Sequence, residues 1–325
     1  MIKIQNAGKR KAIMLAVMGI TAVSAAAFGL QQIPPIGIVD FYGNHNLSSV
    51  ALRKALGIKE GDAIPDDTVK AAAATRLKAL PGVQNVHISG VCCDAGRAIL
   101  YVGIQEVGGI KPAYRPAPTG NVRLPQELIA ANRRFEKALI AAAVSGDLTE
   151  DDSQGHALAH NPDMRAVQQG YLHFASEHFA LLRDVLMQSS DAHHRALAAQ
   201  VVGYSSDKRA AADCLLGAVN DADEEVRNNA TRAIGVIANY ANSNPEKQIR
   251  ISPDPFIEMV NSPIWTDRNK GTMGLMMLTQ KPDSAVYAAI RKKALPALTE
   301  MANWKSTMHN GAPRLILERV KHEKE

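Results

Sequence analysis

Ten histidines, three cysteines and one short acidic run are the groups in this 325-residue sequence from which a metal centre or a nucleophile would have to be built. His156 and His160 stand four apart, the spacing that puts two imidazoles on one face of a helix around a zinc ion, and Asp151 and Asp152 are near enough in sequence to add oxygens. Gly155 and Pro162 flank the pair and favour a loop instead. Catalytic zinc helices also carry a glutamate beside the first histidine as general base, and Ala157 stands there. The run Asp147-Leu-Thr-Glu-Asp-Asp152 is rich in carboxylates, but it lacks the alternating ligands and central glycine of a calcium loop, so a solvated acidic turn is expected.

No Gly-x-Gly-x-x-Gly, P-loop or Gly-x-Ser-x-Gly pattern occurs, which leaves phosphate cradling and serine hydrolysis without an anchor. No catalytic residue, metal ligand or cofactor site is therefore assigned. The adjacent Cys92 and Cys93 can bond across chains, bond to one another or have no role, and Cys214 lies far from both. An odd count of three is too few for a disulfide framework.

The elements that would position any site begin after an export signal. Lys3, Lys9, Arg10 and Lys11 precede an uncharged apolar run from Ala12 to about Gly29 that contains Ser24, Ala25, Ala26 and Ala27. Residues 1–27 read as a signal peptide of an exported protein, periplasmic or held in the cell envelope. The alternative is an uncleaved anchor, because about 18 apolar residues is near the lower limit for crossing a bilayer. No cysteine near the end of the run permits lipid attachment. The formal charge of +5 less those four basic residues leaves about +1 for the remainder. With acids and bases interspersed and no basic stripe carrying aromatics, a nucleic-acid partner is not expected.

Residues 28–107 carry strand and helix signals in the order β-α-α-β-β. Ile36 to Gly43 alternates apolar groups and ends on the turn signal Gly43-Asn44. Ser48 to Leu56 has helical spacing and Gly57 at its left-handed end. Pro65-Asp66-Asp67-Thr68 opens a second helix that runs to Leu80 before Pro81-Gly82. Val83 to Gly90 and Arg97 to Glu106 read as a hairpin joined by a Cys-Cys-Asp-Ala-Gly turn. Gly43-Asn44, the link Leu56-Gly-Ile-Lys-Glu-Gly-Asp62 and Leu80-Pro-Gly-Val83 resemble a POTRA domain of bacterial envelope proteins. That resemblance implies docking of other polypeptides, including strand addition at an exposed sheet edge.

Residues 108–123, with Pro112, Pro116 and Pro118, have the composition of a linker. From 124 to 325 the chain turns helical and no further strand signal is legible. Asp191-Ala-His-His-Arg-Ala-Leu-Ala-Ala-Gln-Val-Val-Gly203 and Asp223-Glu-Glu-Val-Arg-Asn-Asn-Ala-Thr-Arg-Ala-Ile-Gly235 share aspartate, arginine, alanine and glycine at an offset of about 32 residues, the period of a helix-pair solenoid. Ala198 and Ala230 allow helices to approach, Val202 and Ile234 fill the core, and Arg195 and Arg227 are placed to bond between repeats. His194 occupies the place of Val226 and is read as structural. Arg268, Gly271 and Leu275 mark a third copy, and His309 to Leu317 a fourth after a helix from Ser284 to Trp304.

Asp-x-x-Val-Arg-x-x-Ala at Asp223 resembles HEAT repeats, in particular the short variety also found in phycobilin lyases. The resemblance implies a curved scaffold whose inner helices, beginning near Asp191, Asp223, Trp265 and Thr307, bind proteins. Iron hydroxylases of this fold hold their metal with repeated His-Glu pairs, and here that pair occurs once, at His322-Glu323. The expected class is α+β followed by an all-α HEAT-like solenoid, acting as a non-enzymatic scaffold for a polypeptide partner. The alternative, a metalloprotein or enzyme on the same scaffold, rests on the histidines between His156 and His194.

Overall fold

The computed structural model describes residues 34–322, so the expected signal segment 1–27 and Glu323 lie outside the described residues. Five elements open the chain: β1 (Ile36–Tyr42), α1 (Ser49–Leu56), α2 (Asp67–Lys78), β2 (Val83–Asp94) and β3 (Arg97–Glu106). The order is the expected β-α-α-β-β. Ser48 caps α1 by accepting from the Val50 amide, and Gly57 ends it at φ 65°, a conformation that a side chain would strain. Asp66 caps α2 through the Val69 amide.

The sheet runs β1-β3-β2, with β1 parallel and β2 antiparallel to β3. The central strand Arg97-Ala-Ile-Leu-Tyr-Val-Gly-Ile-Gln-Glu106 is buried on both faces, which is why it reads as a nearly unbroken apolar run. Leu100, Val102 and Ile104 face α1 and α2 in one core with Leu52, Leu56 and Leu77. The hairpin turn is tighter than the sequence suggested: β2 continues through Cys92 and Cys93, and Ala95 and Gly96 turn alone at φ 48° and 74°. Such a two-residue turn matches the strand twist. Cys92 and Cys93 are bonded to each other as a vicinal disulfide.

The helices follow as α3 (Gln126–Ser145), α4 (Pro162–Glu177), α5 (Phe179–Gln188), α6 (Ala192–Val202), α7 (Lys208–Leu216), α8 (Glu224–Ser243), α9 (Asp254–Val260), α10 (Trp265–Leu278), α11 (Ser284–Lys293), α12 (Leu295–Ala302) and α13 (Thr307–His322). Two departures from expectation have simple causes. The helix expected over 284–304 is two, because Pro296 cannot donate to the preceding turn and sits in the first turn of α12. A small hairpin, β4 (Glu150–Asp151) paired with β5 (Leu158–Ala159), interrupts the helices where no strand was legible, since two-residue strands leave no periodic signal. Among the described residues no helix is long and apolar enough to cross a membrane.

One continuous core joins the repeats: Ala198, Ala230, Val202 and Ile234 are fully buried in it. At Gly271, in the place of Ala230, a Cβ would sit 2.7 Å from the Phe256 carbonyl oxygen, so α9 and α10 meet more closely than a side chain allows.

The second face of the sheet is covered by the far end of the solenoid. Tyr42, Ile99 and Tyr101 pack with Trp265, Met301 and Trp304. Tyr101 stacks on Trp265 with ring centroids 5.5 Å apart, and the Tyr42 hydroxyl donates to the Pro263 carbonyl at 2.9 Å. Asp94 accepts from the Thr307 amide at 2.8 Å, capping α13 from the hairpin turn. At Gly103 a Cβ would lie 1.9 Å from the Pro263 oxygen and 2.7 Å from the Tyr42 hydroxyl. Gly103→Val is therefore expected to undock the sheet from the solenoid, costing about 3 kcal/mol or more because a backbone atom blocks relaxation. Retained helical circular dichroism with a lowered melting temperature and rapid proteolysis near residue 108 is the expected result; an unchanged melting temperature would contradict it.

Candidate functional site

The four aspartates and arginines picked out by the repeat pattern do not act alone. Asp191 and Asp223 are caps, accepting from the second and third amides of α6 and α8. The arginines one turn on are buried and reach forward to the next repeat. Arg195 grips Asp221 through Nε–Oδ2 at 3.0 Å and Nη2–Oδ1 at 2.8 Å, and its Nη1 donates to the Ser189 carbonyl. Arg227 grips Asp267 through Nε–Oδ1 at 2.8 Å and Nη2–Oδ2 at 3.2 Å, with Nη1 on the Asp221 carbonyl. Arg268 donates to the Ser262 carbonyl at 2.7 Å and to Glu300 Oε2 at 2.5 Å. The bond between repeats expected of Arg195 and Arg227 is thus a ladder of three rungs along the starts of the inner helices.

Bidentate geometry and full donor satisfaction are what let a guanidinium and a carboxylate stay out of water. Burial would raise the Asp221 pKa, but bonds from Arg195, the Asp223 amide and Arg115 outweigh it and hold the group below the ordinary carboxylate value. Burial would likewise lower Arg227, and Asp267 more than restores its charge.

Each rung is also touched by the N-terminal third of the chain. The proline-rich segment 108–123 has no helix or ladder strand, as its composition predicts, yet it is strapped to the repeats. The Arg115 amide donates to the Asn220 carbonyl at 2.7 Å, and its side chain joins Arg195 on Asp221 at 2.5 Å. The Tyr114 hydroxyl donates to Asp267 at 2.5 Å while the Arg227 guanidinium lies 4.0 Å from the Tyr114 ring centre. Gly120 exchanges backbone bonds with Gln188 and Ser190, at a spot where a Cβ would be 2.5 Å from the Gln188 oxygen. At the third rung the Gly43 amide donates to Glu300 at 2.7 Å, and Arg268 lies 4.5 Å from the Tyr42 ring centre.

The histidines have other duties. His194 Nδ1 accepts from the Leu124 amide at 2.9 Å, the structural role expected of it. His156 lies in the loop of the β4–β5 hairpin, 3.3 Å from the Lys208 ammonium; burial and that charge push its pKa down to about 4. His160 is exposed on the same hairpin. Among the described residues no three His, Cys, Asp or Glu side chains converge as metal ligands. The acidic run is not the free turn its composition suggested: Glu150 pairs with Arg232 at 2.5 Å and Asp152 accepts from Asn239 at 2.9 Å. Its partners lie over 80 residues away, beyond any local pattern. His309, unassigned from sequence, bonds the Tyr101 hydroxyl at 2.8 Å, and burial lowers its pKa to about 4.

Residues 179–249 match the HEAT repeats family. The match spans α5 to α8, the two best copies of the sequence pattern, the first rung and the arginine of the second. No curated protein sequence matches the chain. Over those residues the chain is similar to HEAT repeats, which form helical scaffolds that commonly mediate protein interaction. Sequence reasoning missed Tyr114, Arg115, Asp221 and Asp267; the nearest signals were the Asp-x-Asp spacing of 221 and 223 and an aromatic-basic pair inside a proline-rich stretch.

Arg227→Met is expected to destabilise by about 3–5 kcal/mol, because it strands the Asp267 charge in the core, whereas Lys in that place recovers only part of the loss. Denaturant melts of the three proteins check this. The histidines set a pH dependence: both His309 and His156 are bases held below their ordinary value of about 6.5. Their stabilisation is complete above that pH and is lost as pH falls from about 6.5 toward 4, on the order of 3 kcal/mol for His309 and less for the half-exposed His156. Unfolding at pH 7.5 and pH 5 should show the difference, and His309→Asn should remove most of it.

Proposed function

We propose that the chain is a non-enzymatic scaffold of the bacterial envelope that holds extended polypeptide segments on the ends of its inner HEAT helices. The observation that supports this reading is the strap: the stretch from Tyr114 to Gly120 lies across successive repeats, held by backbone bonds, an ion pair to the buried Asp221 and an aromatic contact. That is how a solenoid holds a peptide ligand, here supplied in cis. The rungs keep their own arginines when the strap leaves, so a partner segment can exchange with it without stranding a buried carboxylate.

The envelope assignment draws on the export signal in residues 1–27 and on the resemblance of residues 28–107 to a POTRA domain, which agree independently. In this reading the mature protein begins near Phe28, and strand β2, an edge of the sheet, is a second place for partner chains.

The test is expression with residues 1–27 in a bacterium, photo-cross-linking in the envelope, and N-terminal sequencing. A cross-linker beside the strap is expected to capture a defined envelope protein, more strongly in Tyr114→Ala/Arg115→Ala, where the rungs are uncovered. A first residue near Phe28 supports cleavage, and Met1 supports the anchor. Capture of nothing by either protein, or the same weak capture with the repeats deleted, would defeat the scaffold reading.

A further inference from the structure

The bonded pair Cys92 and Cys93 takes no part in the ladder, the strap or the repeats. The strand register passes from Val91 opposite Ile99 to Asp94 opposite Arg97, so the two cysteines together stand opposite Ala98 alone, as a β-bulge. Cys92 is exposed and Cys93 half-buried, at the tip of a hairpin that solvent reaches. Adjacent residues also close the shortest loop that a disulfide can close, which constrains the unfolded chain least. The bond is therefore badly placed as a stability staple and well placed for exchange with a thiol from solution, since exposed disulfides are the labile ones.

The residues on either side of the pair hold the hairpin to the solenoid. Val91 packs against the layer formed by Tyr42, Ile99, Tyr101, Trp265 and Trp304. Asp94 accepts from the Thr307 amide at 2.8 Å and from the Thr307 hydroxyl at 3.3 Å, so the first turn of α13 is capped by a carboxylate 213 residues away. A bulge lacks the one-to-one pairing that fixes the rest of a strand, and here the disulfide ring closes it. The ring thus sets the placement of both neighbours, one in the aromatic layer and one on the helix end.

We propose that Cys92 and Cys93 form a thiol–disulfide exchange site whose redox state sets how firmly the sheet is docked on the solenoid, the co-reactant being a dithiol reductant. A thiolate of the reductant attacks one sulfur, the S–S bond breaks, and the other cysteine leaves as a thiolate that takes up a proton. The reductant's second thiol then attacks the mixed disulfide and releases the first cysteine as a thiol. The protein gains two electrons and two protons, and the dithiol departs as a disulfide. Once the ring is open the bulge can rotate, Asp94 no longer stays on Thr307, and the face of Tyr42, Ile99 and Tyr101 parts from Trp265 and Trp304 more often. Exchange with a small-molecule disulfide runs the same steps backward. The inference goes beyond the scaffold reading and does not rest on it.

Both tryptophans of the chain lie in this joint, so their emission reports on it directly. The experiment takes the full chain after oxidised glutathione and again after dithiothreitol. Thiols are counted by alkylating the denatured protein, tryptophan emission is recorded, and limited proteolysis near residue 108 is timed. The oxidised chain is expected to show Cys214 alone alkylated, and the reduced chain all three cysteines. Dithiothreitol is expected to speed cleavage roughly fivefold, the effect of losing one helix cap, and to move the emission to longer wavelength. Reoxidation should return both. Cys92→Ser with Cys93→Ser is expected to be cleaved at the fast rate with or without dithiothreitol. Asp94→Ala keeps the disulfide, should be cleaved fast when oxidised, and should gain less than about twofold on reduction, because the bond acts through the cap. Three alkylated cysteines in the oxidised chain would overturn the proposal, as would cleavage and emission that dithiothreitol leaves unchanged. An equal response in Cys92→Ser with Cys93→Ser, or the full response in Asp94→Ala, would overturn it too.

Discussion

A buried guanidinium has to be paired, and that requirement organises this molecule. Arg195, Arg227 and Arg268 are each 4% exposed or less, and each spans from an inner helix to a carboxylate farther along the solenoid: Asp221 in the loop before α8, Asp267 on α10 and Glu300 on α12. A missing carboxylate would leave a charge in the core, so the rungs fix the rotation and rise of successive repeats more strictly than apolar packing does. Ala198, Ala230 and Gly271 supply the complementary condition, a surface low enough for the helices to come within reach.

The same rungs explain why the N-terminal module is part of one body with the repeats. Arg268 presents its face to Tyr42 and its partner Glu300 accepts from Gly43, so the last rung ends in the sheet. Around it, Tyr101, Trp265, Trp304 and His309 form an aromatic layer that closes contacts between Tyr101 and residues more than 160 positions away in sequence. The layer contains two indole nitrogens, of Trp265 and Trp304, that are buried without a partner. Area and ring packing outweigh those losses at this joint.

Polar segments are the part of the chain whose role changed most between sequence and structure. Residues 108–123 are a linker in composition and a bound strap in space, and the acidic run is a turn in composition and an ion-paired cover in space. In both cases the side chains that decide the outcome, Asp221 and Asp267 for the strap and Arg232 for the hairpin, lie on or just before inner helices far along the chain. A solenoid offers such partners in a regular row, which is why short extended segments find something to hold at each repeat.

The sequence by itself determined the local elements, because their causes are local: the alternation of Ile36 to Tyr42, the caps at Ser48, Asp66, Asp191 and Asp223, the stop at Gly57, and the helical period behind the repeats. It could say that Arg195 and Arg227 bond between repeats, since their positions recur. Only the tertiary structure decided with whom, and that the sheet's second face meets Trp265 and Trp304, that Tyr114 and Arg115 lie on the ladder, and that Arg232 pairs with Glu150. Pairing of buried charge and packing of aromatic faces depend on groups brought together from distant positions, and no periodicity along one chain records which of the distant groups will meet.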